Sequence, residues 1–168
     1  MRENYRDRAV VIRTYDFGEA DRVIVLLTRD HGLVRAVAKG VRRAKSRFGS
    51  RLQLFVNLDV QLYVGKNLAT ISQADTVDYF GARLIEDYER YTAACAVLES
   101  AERLAFADAD HDPYLYESVT ATLGQLQTAD PTLALDAFLL QAMAHAGWAP
   151  SLFNLSLIHI SEPTRLGM

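Results

Sequence analysis

The strongest constraint in the sequence is a cationic stretch, residues 35–54 (RAVAKGVRRAKSRFGSRLQL), called the basic segment below. Seven Lys or Arg residues and no Asp or Glu lie between Gly32 and Leu58. The run begins in one apolar stretch and ends at another, so its middle is expected to be a loop between two strands. Gly40 and Gly49 permit turns there, because glycine tolerates positive φ. Such a loop attracts a phosphate backbone, although a merely solvated surface loop has the same composition.

One aromatic residue, Phe48, lies among these charges. Its ring has two open roles: stacking on a base, or anchoring the loop on the fold. A further cation, Lys66, lies in the turn sequence Gly65-Lys66-Asn67. The sequence therefore predicts a DNA-binding set consisting of Arg35, Lys39, Arg42, Arg43, Lys45, Arg47, Phe48, Arg51 and Lys66.

The formal charge of −3 conceals a division along the chain. Residues 1–80 contain 14 Lys/Arg and 9 Asp/Glu, a net charge of +5, whereas residues 81–168 contain 4 and 12, a net charge of −8. The two halves thus indicate two surfaces, one for a polyanion and one for a protein, unless the asymmetry is chance.

Several classes of protein are disfavoured by what the sequence lacks. Cys95 is the single cysteine, so neither a disulfide framework nor a Cys-type zinc site can form within one chain. The charged N-terminus does not resemble a secretory signal, and no apolar run approaches a membrane span, so a soluble cytoplasmic protein is expected. Phosphate-loop, dinucleotide and nucleophile-elbow motifs are missing, and we expect no enzymatic activity.

The first 80 residues have the pattern of a small β-barrel. Runs rich in β-branched and apolar residues, separated by turn sequences, predict strands at residues 8–15, 22–28, 33–38, 53–64 and 68–77. The second run is apolar on both faces, which predicts a strand buried on both sides. Five short strands fit an OB-fold, a barrel that commonly binds single-stranded nucleic acid, but strand count alone leaves an SH3-like barrel open.

After Phe80 the apolar period changes to that of helices. A first stripe consists of Leu84, Tyr88, Tyr91, Cys95 and Leu98. Asp112-Pro113 and Asp130-Pro131 each predict a helix start, because Asp accepts hydrogen bonds from free N–H groups and Pro suits the first helical position. The predicted fold class is α+β, with an OB-fold domain at residues 1–80 and a helical module at residues 81–154.

The sequence contains a set of specific motifs: GEADR at residues 18–22, T-x-x-x-G at 28–32, AKG at 38–40, SRFG at 46–49, DYERY at 87–91 and AGWAPSLFN at 146–154. As a set, these motifs resemble those of the bacterial DNA repair protein RecO family of recombination mediators. The resemblance implies an N-terminal OB-fold, binding of single- and double-stranded DNA, strand annealing, and partnership with RecR and single-stranded DNA-binding protein. It implies no catalytic turnover.

The chain departs from the family pattern after Asn154. Many members carry a cysteine pair there that opens a zinc-binding module, whereas this chain reads LSLIHISEPTRLGM. Residues 155–168 resemble translated sequencing-adapter sequence, so we expect a truncated helical module with a non-native or disordered tail. No cofactor is expected, because the family's zinc-binding cysteines are absent.

The resemblance implies a non-catalytic DNA-binding mediator in the RecF-type recombination pathway, which promotes annealing and recombinase loading, and the basic segment agrees with DNA binding. The alternative is a protein–protein adaptor whose barrel binds a peptide and has no direct nucleic-acid role.

A first prediction is that the chain binds no structural zinc, because its one cysteine and four scattered histidines provide no ligand set. Metal analysis of the purified protein after mild chelation is expected to show no stoichiometric zinc; a retained equivalent would contradict this.

A second prediction concerns residues 155–168, whose apolar residues crowd at one end and whose Pro163 prevents a continuous helix. Ordering such a segment costs about 1–2 kcal/mol per residue, which its pattern gives little means of recovering. Deletion of residues 155–168 is expected to leave thermal stability and DNA affinity unchanged. A loss of more than about 2 kcal/mol on deletion would show that the segment belongs to the fold.

Overall fold

The computed structural model describes residues 3–43, 45–46, 48–107 and 112–148. Five strands come first: β1 (Asn4–Phe17), β2 (Asp21–Thr28), β3 (Leu33–Ala38), β4 (Val56–Tyr63) and β5 (Ala69–Tyr79). The helices α1 (Gly81–Glu86), α2 (Tyr88–Ala107), α3 (Tyr114–Gln125) and α4 (Pro131–Met143) follow, and a π-helical turn (Ala144–Trp148) continues α4. The predicted tail at residues 155–168, the end of the predicted helical module at 149–154 and the side chain of Trp148 lie outside the described residues.

The strands form a closed barrel in the order β1-β2-β3-β5-β4. Neighbouring strands are antiparallel except β3 and β5, which pair in parallel at Ala36–Ala69 and Val37–Thr70. This arrangement confirms the predicted OB-fold and removes the SH3-like alternative. Helices follow the barrel, so the predicted α+β class is also confirmed.

Strand β1 is longer than predicted because it belongs to two ladders. Its first half pairs with β4, from Asn4–Tyr63 to Val10–Asn57, and its second half pairs with β2, ending at Phe17–Asp21. The register shifts between Val11 and Arg13. A bulge of this kind bends a strand and increases its twist, which lets one strand serve both sides of the barrel.

The barrel wall separates two hydrophobic cores. Inside lie Ala9, Val11, Ile24, Leu58, Leu62 and Ile71. Outside, Val10, Ile12, Val25 and Leu27 pack with helical residues such as Leu84, Val97, Val119 and Phe138. Both faces of β2 are therefore buried, as its apolar sequence predicted.

Strand β4 begins three residues later than predicted, because the chain turns at Phe55. The backbone of Phe55 has φ 68, which is a left-handed conformation and unusual for an aromatic residue. Its ring is 1% exposed and lies edge-on to Tyr91 of α2, with centroids 5.9 Å apart. The turn thus directs the ring out of the barrel and into the core shared with the helices.

The predicted first helical stripe is only partly correct. The helix breaks at Asp87, whose backbone is extended, so the phase of the buried face changes between α1 and α2. Tyr88 is 82% exposed and Tyr91 39% exposed. The buried face of α2 instead consists of Ala93, Ala94, Val97, Leu98, Ala101 and Ala105.

Both predicted Asp-Pro pairs lie at helix starts, although Pro113 is the N-cap of α3 rather than its first helical residue. The carboxylate of Asp130 accepts from the N–H of Leu133 at 3.0 Å, and that of Asp112 accepts from the N–H of Tyr114 at 2.9 Å. His145, after α4, contacts the Asp112 carboxylate and stacks on the Tyr114 ring at 3.8 Å. The Tyr114 N–H and then His145 lower the pKa of Asp112. His145 thus packs the end of α4 against the start of α3.

A buried polar link joins the barrel to the helices. The hydroxyl of Tyr116 in α3 donates to Asn57 Oδ1 of β4 at 2.9 Å, and Asn57 Nδ2 donates to Asp78 of β5 at 3.3 Å. Burial raises the pKa of Tyr116. Buried polar groups require partners, so this link ties α3 to the barrel at Asn57.

Arg90 joins the start of α2 to the turn between α3 and α4. Its Nη1 donates to the carbonyl oxygens of Leu126 at 2.6 Å and Ala129 at 2.7 Å. Its Nε lies 3.4 Å from Asp87, which caps α2 through the N–H groups of Glu89 and Arg90. A guanidinium at the C-terminal end of α3 also complements the helix dipole.

We predict that Arg90→Ala lowers the free energy of unfolding by about 2–3 kcal/mol, because it removes charged hydrogen bonds and leaves two carbonyl groups unsatisfied. Arg103→Ala is the matched control on the same helix: its side chain is 81% exposed and pairs with Glu99 at 3.7 Å. The control is expected to change stability by less than about 0.5 kcal/mol. Equal losses in urea denaturation would contradict this role for Arg90.

Candidate nucleic-acid interface

The basic segment spans the end of β3 and most of the connection to β4. Gly40 and Gly49 have φ of 68 and 57, so both predicted turns use positive φ. Between them, backbone bonds three residues apart join Arg43 to Gly40 at 3.1 Å and Ser46 to Arg43 at 3.2 Å. The connection is therefore a succession of tight turns.

Two apolar side chains attach the second half of this connection to the barrel interior. Phe48 is 2% exposed and Leu52 is 4% exposed, and both lie in the inner core. Of the two roles left open for Phe48, the structure favours the anchor. A ring buried to this extent presents little surface for a base to stack on.

The first half of the connection is held against the β1–β2 turn. The Arg42 N–H donates to Ala20 O at 2.9 Å, and the Gly40 N–H donates to Asp21 Oδ1 at 2.7 Å. Arg42 Nη1 also lies 3.4 Å from Gly18 O. The segment is thus fixed at both ends.

Arg42 has an acidic partner in the structure, although the sequence shows no acid in or near the basic segment. Its Nη1 lies 3.6 Å from Asp16 Oδ2, and Arg22 Nε lies 3.1 Å from the other oxygen of the same carboxylate. The window around the basic segment contains no acid, but β1 ends beside it in space and contributes one. Arg42 is partly shielded, with 30% of its side chain exposed.

The remaining predicted cations divide into those near this connection and those elsewhere. Lys39, Arg43, Lys45 and Arg51 are exposed along it. Arg35 is exposed on β3, where its Nη2 donates to the Tyr15 hydroxyl at 3.1 Å. Arg47 lies outside the described residues.

Lys66 is separated from the others. It is exposed in the β4–β5 turn, ahead of the point at which Ala69 pairs with Ala36. Because β3 and β5 run in parallel, this turn lies towards the start of β3, whereas Lys39 follows its end. The structure therefore does not place Lys66 within the cluster.

A shallow pocket of about 400 Å³ lies where the basic segment meets β5. It is lined by Phe48 and Arg51 on one side and by Ser72, Gln73, Ala74 and Asp75 on the other. The polar rim and the adjacent acid make it a poor candidate for an additional phosphate site.

Nothing in the described part of the chain indicates a metal centre: no three His, Cys, Asp or Glu side chains come together there. His31 is paired through Nδ1 with Asp7 at 2.6 Å, and its ring stacks on Tyr5. Burial and then the Asp7 charge raise the pKa of Tyr5. The same described residues include no helix with the length and apolarity to span a membrane.

Sequence reasoning missed the contact between the basic segment and the β1–β2 turn. Asp16-Phe17-Gly18-Glu19 indicated only a turn, and neither the ion pair of Asp16 nor the 44% exposure of Phe17 follows from local sequence. An aromatic residue inside a polar turn sequence was the available signal.

Comparison with known families gives two matches. The model described as recombination protein O N terminal matches residues 1–80, and the one described as recombination protein O C terminal matches residues 85–157. The first match covers the barrel that carries the basic segment, and the second begins inside α1. Because the two matches cover most of the sequence, the chain belongs to the recombination protein O (RecO) family of DNA repair recombination mediators.

Proposed function

We propose that this chain is a non-catalytic DNA-binding mediator that binds single- and double-stranded DNA, promotes strand annealing and assists recombinase loading. Its partners in this proposal are RecR and single-stranded DNA-binding protein, both by family resemblance. The proposed site of action is the cytoplasm. The observation that best supports DNA binding is the basic segment, a cationic loop that is anchored on the barrel of a recombination mediator family member.

Fixing the loop has an energetic consequence. Phe48 and Leu52 attach one end to the inner core, and the Arg42 and Gly40 N–H groups attach the other. A loop that is already ordered loses little conformational entropy when a ligand binds. Its exposed Lys and Arg side chains can therefore contact phosphates at a lower entropic cost than a flexible basic tail.

The charge division supports separate surfaces for DNA and protein. Residues 1–80 contain 14 Lys/Arg against 9 Asp/Glu, whereas residues 81–168 contain 4 against 12. A polyanion is attracted to the first half and repelled by the second. The acidic helical half is thus the better candidate for contacts with protein partners.

We predict that Arg42→Ala combined with Arg43→Ala weakens binding to single-stranded DNA and flattens its salt dependence. The slope of log K against log salt is negative, and each lost phosphate contact reduces its magnitude by about 0.7. Two lost contacts therefore reduce its magnitude by about 1.4. The Arg42 backbone bond to Ala20 survives the substitution, so the loop is expected to remain in place.

Two further variants sharpen this test. Arg43→Ala with Lys45→Ala avoids the Arg42–Asp16 ion pair and is expected to flatten the slope similarly. Arg83→Ala with Arg103→Ala makes the same charge change on exposed helical residues and is expected to leave the slope unchanged. Unchanged affinity in the folded loop variants would remove the loop from the interface. Absence of salt-sensitive DNA binding by the parent protein would overturn the proposal and favour the peptide-binding adaptor.

A further inference from the structure

One aromatic ring of the barrel is exposed beside the basic segment. Phe17 is the last residue of β1, and 44% of its surface is exposed. It pairs with Asp21 across the β1–β2 turn. A ligand that covered this ring would remove apolar surface from water, which is favourable in itself.

Cations of the basic segment lie at the same end of the barrel. The hydrogen bonds of Arg42 and Gly40 hold the segment against the residues that directly follow Phe17. Lys39 and Arg43, which adjoin those anchor points in the chain, are exposed. An apolar ring at the same end of a barrel as a group of exposed cations is a combination that can bind a base together with its phosphates.

The acid that precedes the ring in the chain is ion-paired. Asp16 precedes Phe17 and is paired with Arg22 at 3.1 Å and with Arg42 at 3.6 Å. Successive side chains of a strand point to opposite faces, so this carboxylate and its two guanidinium groups lie on the other side of β1 from the ring. On the ring's own face, the cross-strand acid Asp21 accepts a hydrogen bond from the Gly40 N–H.

A second ring extends the same face. Residues two apart in a strand share a face, so Tyr15 lies on the same side of β1 as Phe17. The Arg13 guanidinium lies 5.3 Å from the Tyr15 ring centroid, and Arg35 donates to its hydroxyl. Arg13 in turn is bound by Glu102 of α2 at 2.8 Å, which marks where the helices begin to cover this face.

We propose that Phe17 is a base-stacking residue for single-stranded DNA, with Lys39 and Arg43 contacting the adjacent phosphates. This inference rests on the proposed DNA-binding function and assigns to Phe17 the stacking role that buried Phe48 does not have. The bases of a duplex are already stacked on one another, so Phe17 acts on single strands only.

The test measures binding of Phe17→Ala to a dT oligonucleotide and to a duplex of equal length. Loss of one stacked base weakens affinity by about 5- to 150-fold. We expect a loss in this range on the single strand, an unchanged salt slope, since the ring has no charge, and duplex affinity within about twofold of the parent. Phe17→Trp is expected to retain or tighten binding, whereas Phe17→Leu, apolar but without a ring, is expected to resemble Phe17→Ala.

The matched control is Phe106→Ala, which removes a ring that is 85% exposed at the far end of α2 and is expected to bind like the parent. Undiminished single-strand binding by a folded Phe17→Ala protein, or full binding by Phe17→Leu, would overturn the stacking role. So would equal losses on single strand and duplex, which would indicate a disturbed loop. These results are distinct from failure of the parent to bind DNA, which would overturn the proposed function as well.

Discussion

The double pairing of β1 is the constraint on which the rest of the structure depends. A single bent strand hydrogen-bonds to β4 along one half and to β2 along the other, and this closes the barrel. Closure removes free strand edges. It also gives the barrel wall two apolar faces, one for an interior core and one for the helices. A polar or register-shifting change near Val11 would therefore disturb both cores at once.

The same closure positions the candidate interface. The end of β1 and the start of β2 form a rigid turn, and the basic segment attaches to it through backbone groups of Arg42 and Gly40. Phe48 and Leu52 enter the barrel only because its interior is formed by all five strands. The candidate interface is thus a product of the closed barrel rather than of the cationic sequence alone.

Local sequence patterns predicted the strands and helices well where a single local signal was strong, such as an apolar run between turns or an Asp-Pro pair. Strand β3 was predicted with its observed bounds, Leu33–Ala38, and both Asp-Pro helix starts were correct. The errors occurred where long-range packing overrides local pattern. The positive φ of Phe55 delays β4, and the break at Asp87 turns Tyr88 outward. For the candidate site, the sequence alone locates the cations, but it does not show whether each aromatic ring is buried or exposed. Phe48 and Phe17 both lie among polar residues, and only the fold shows that the first is buried and the second exposed.

The pairing of Asn4 with Tyr63 has a consequence for synthesis of the protein. While the chain emerges from the ribosome, the β4-facing edge of β1 has no partner until roughly 60 further residues have been made, about 3 to 12 seconds at typical elongation rates. During that interval β1 with an open edge, followed by the more apolar β2, is available to nascent copies on neighbouring ribosomes. The hairpin of β1 and β2 can form early, but the barrel cannot. We therefore expect nascent-chain chaperones to shield the open edge of β1 mainly while the barrel is being translated, before the helices have been synthesised.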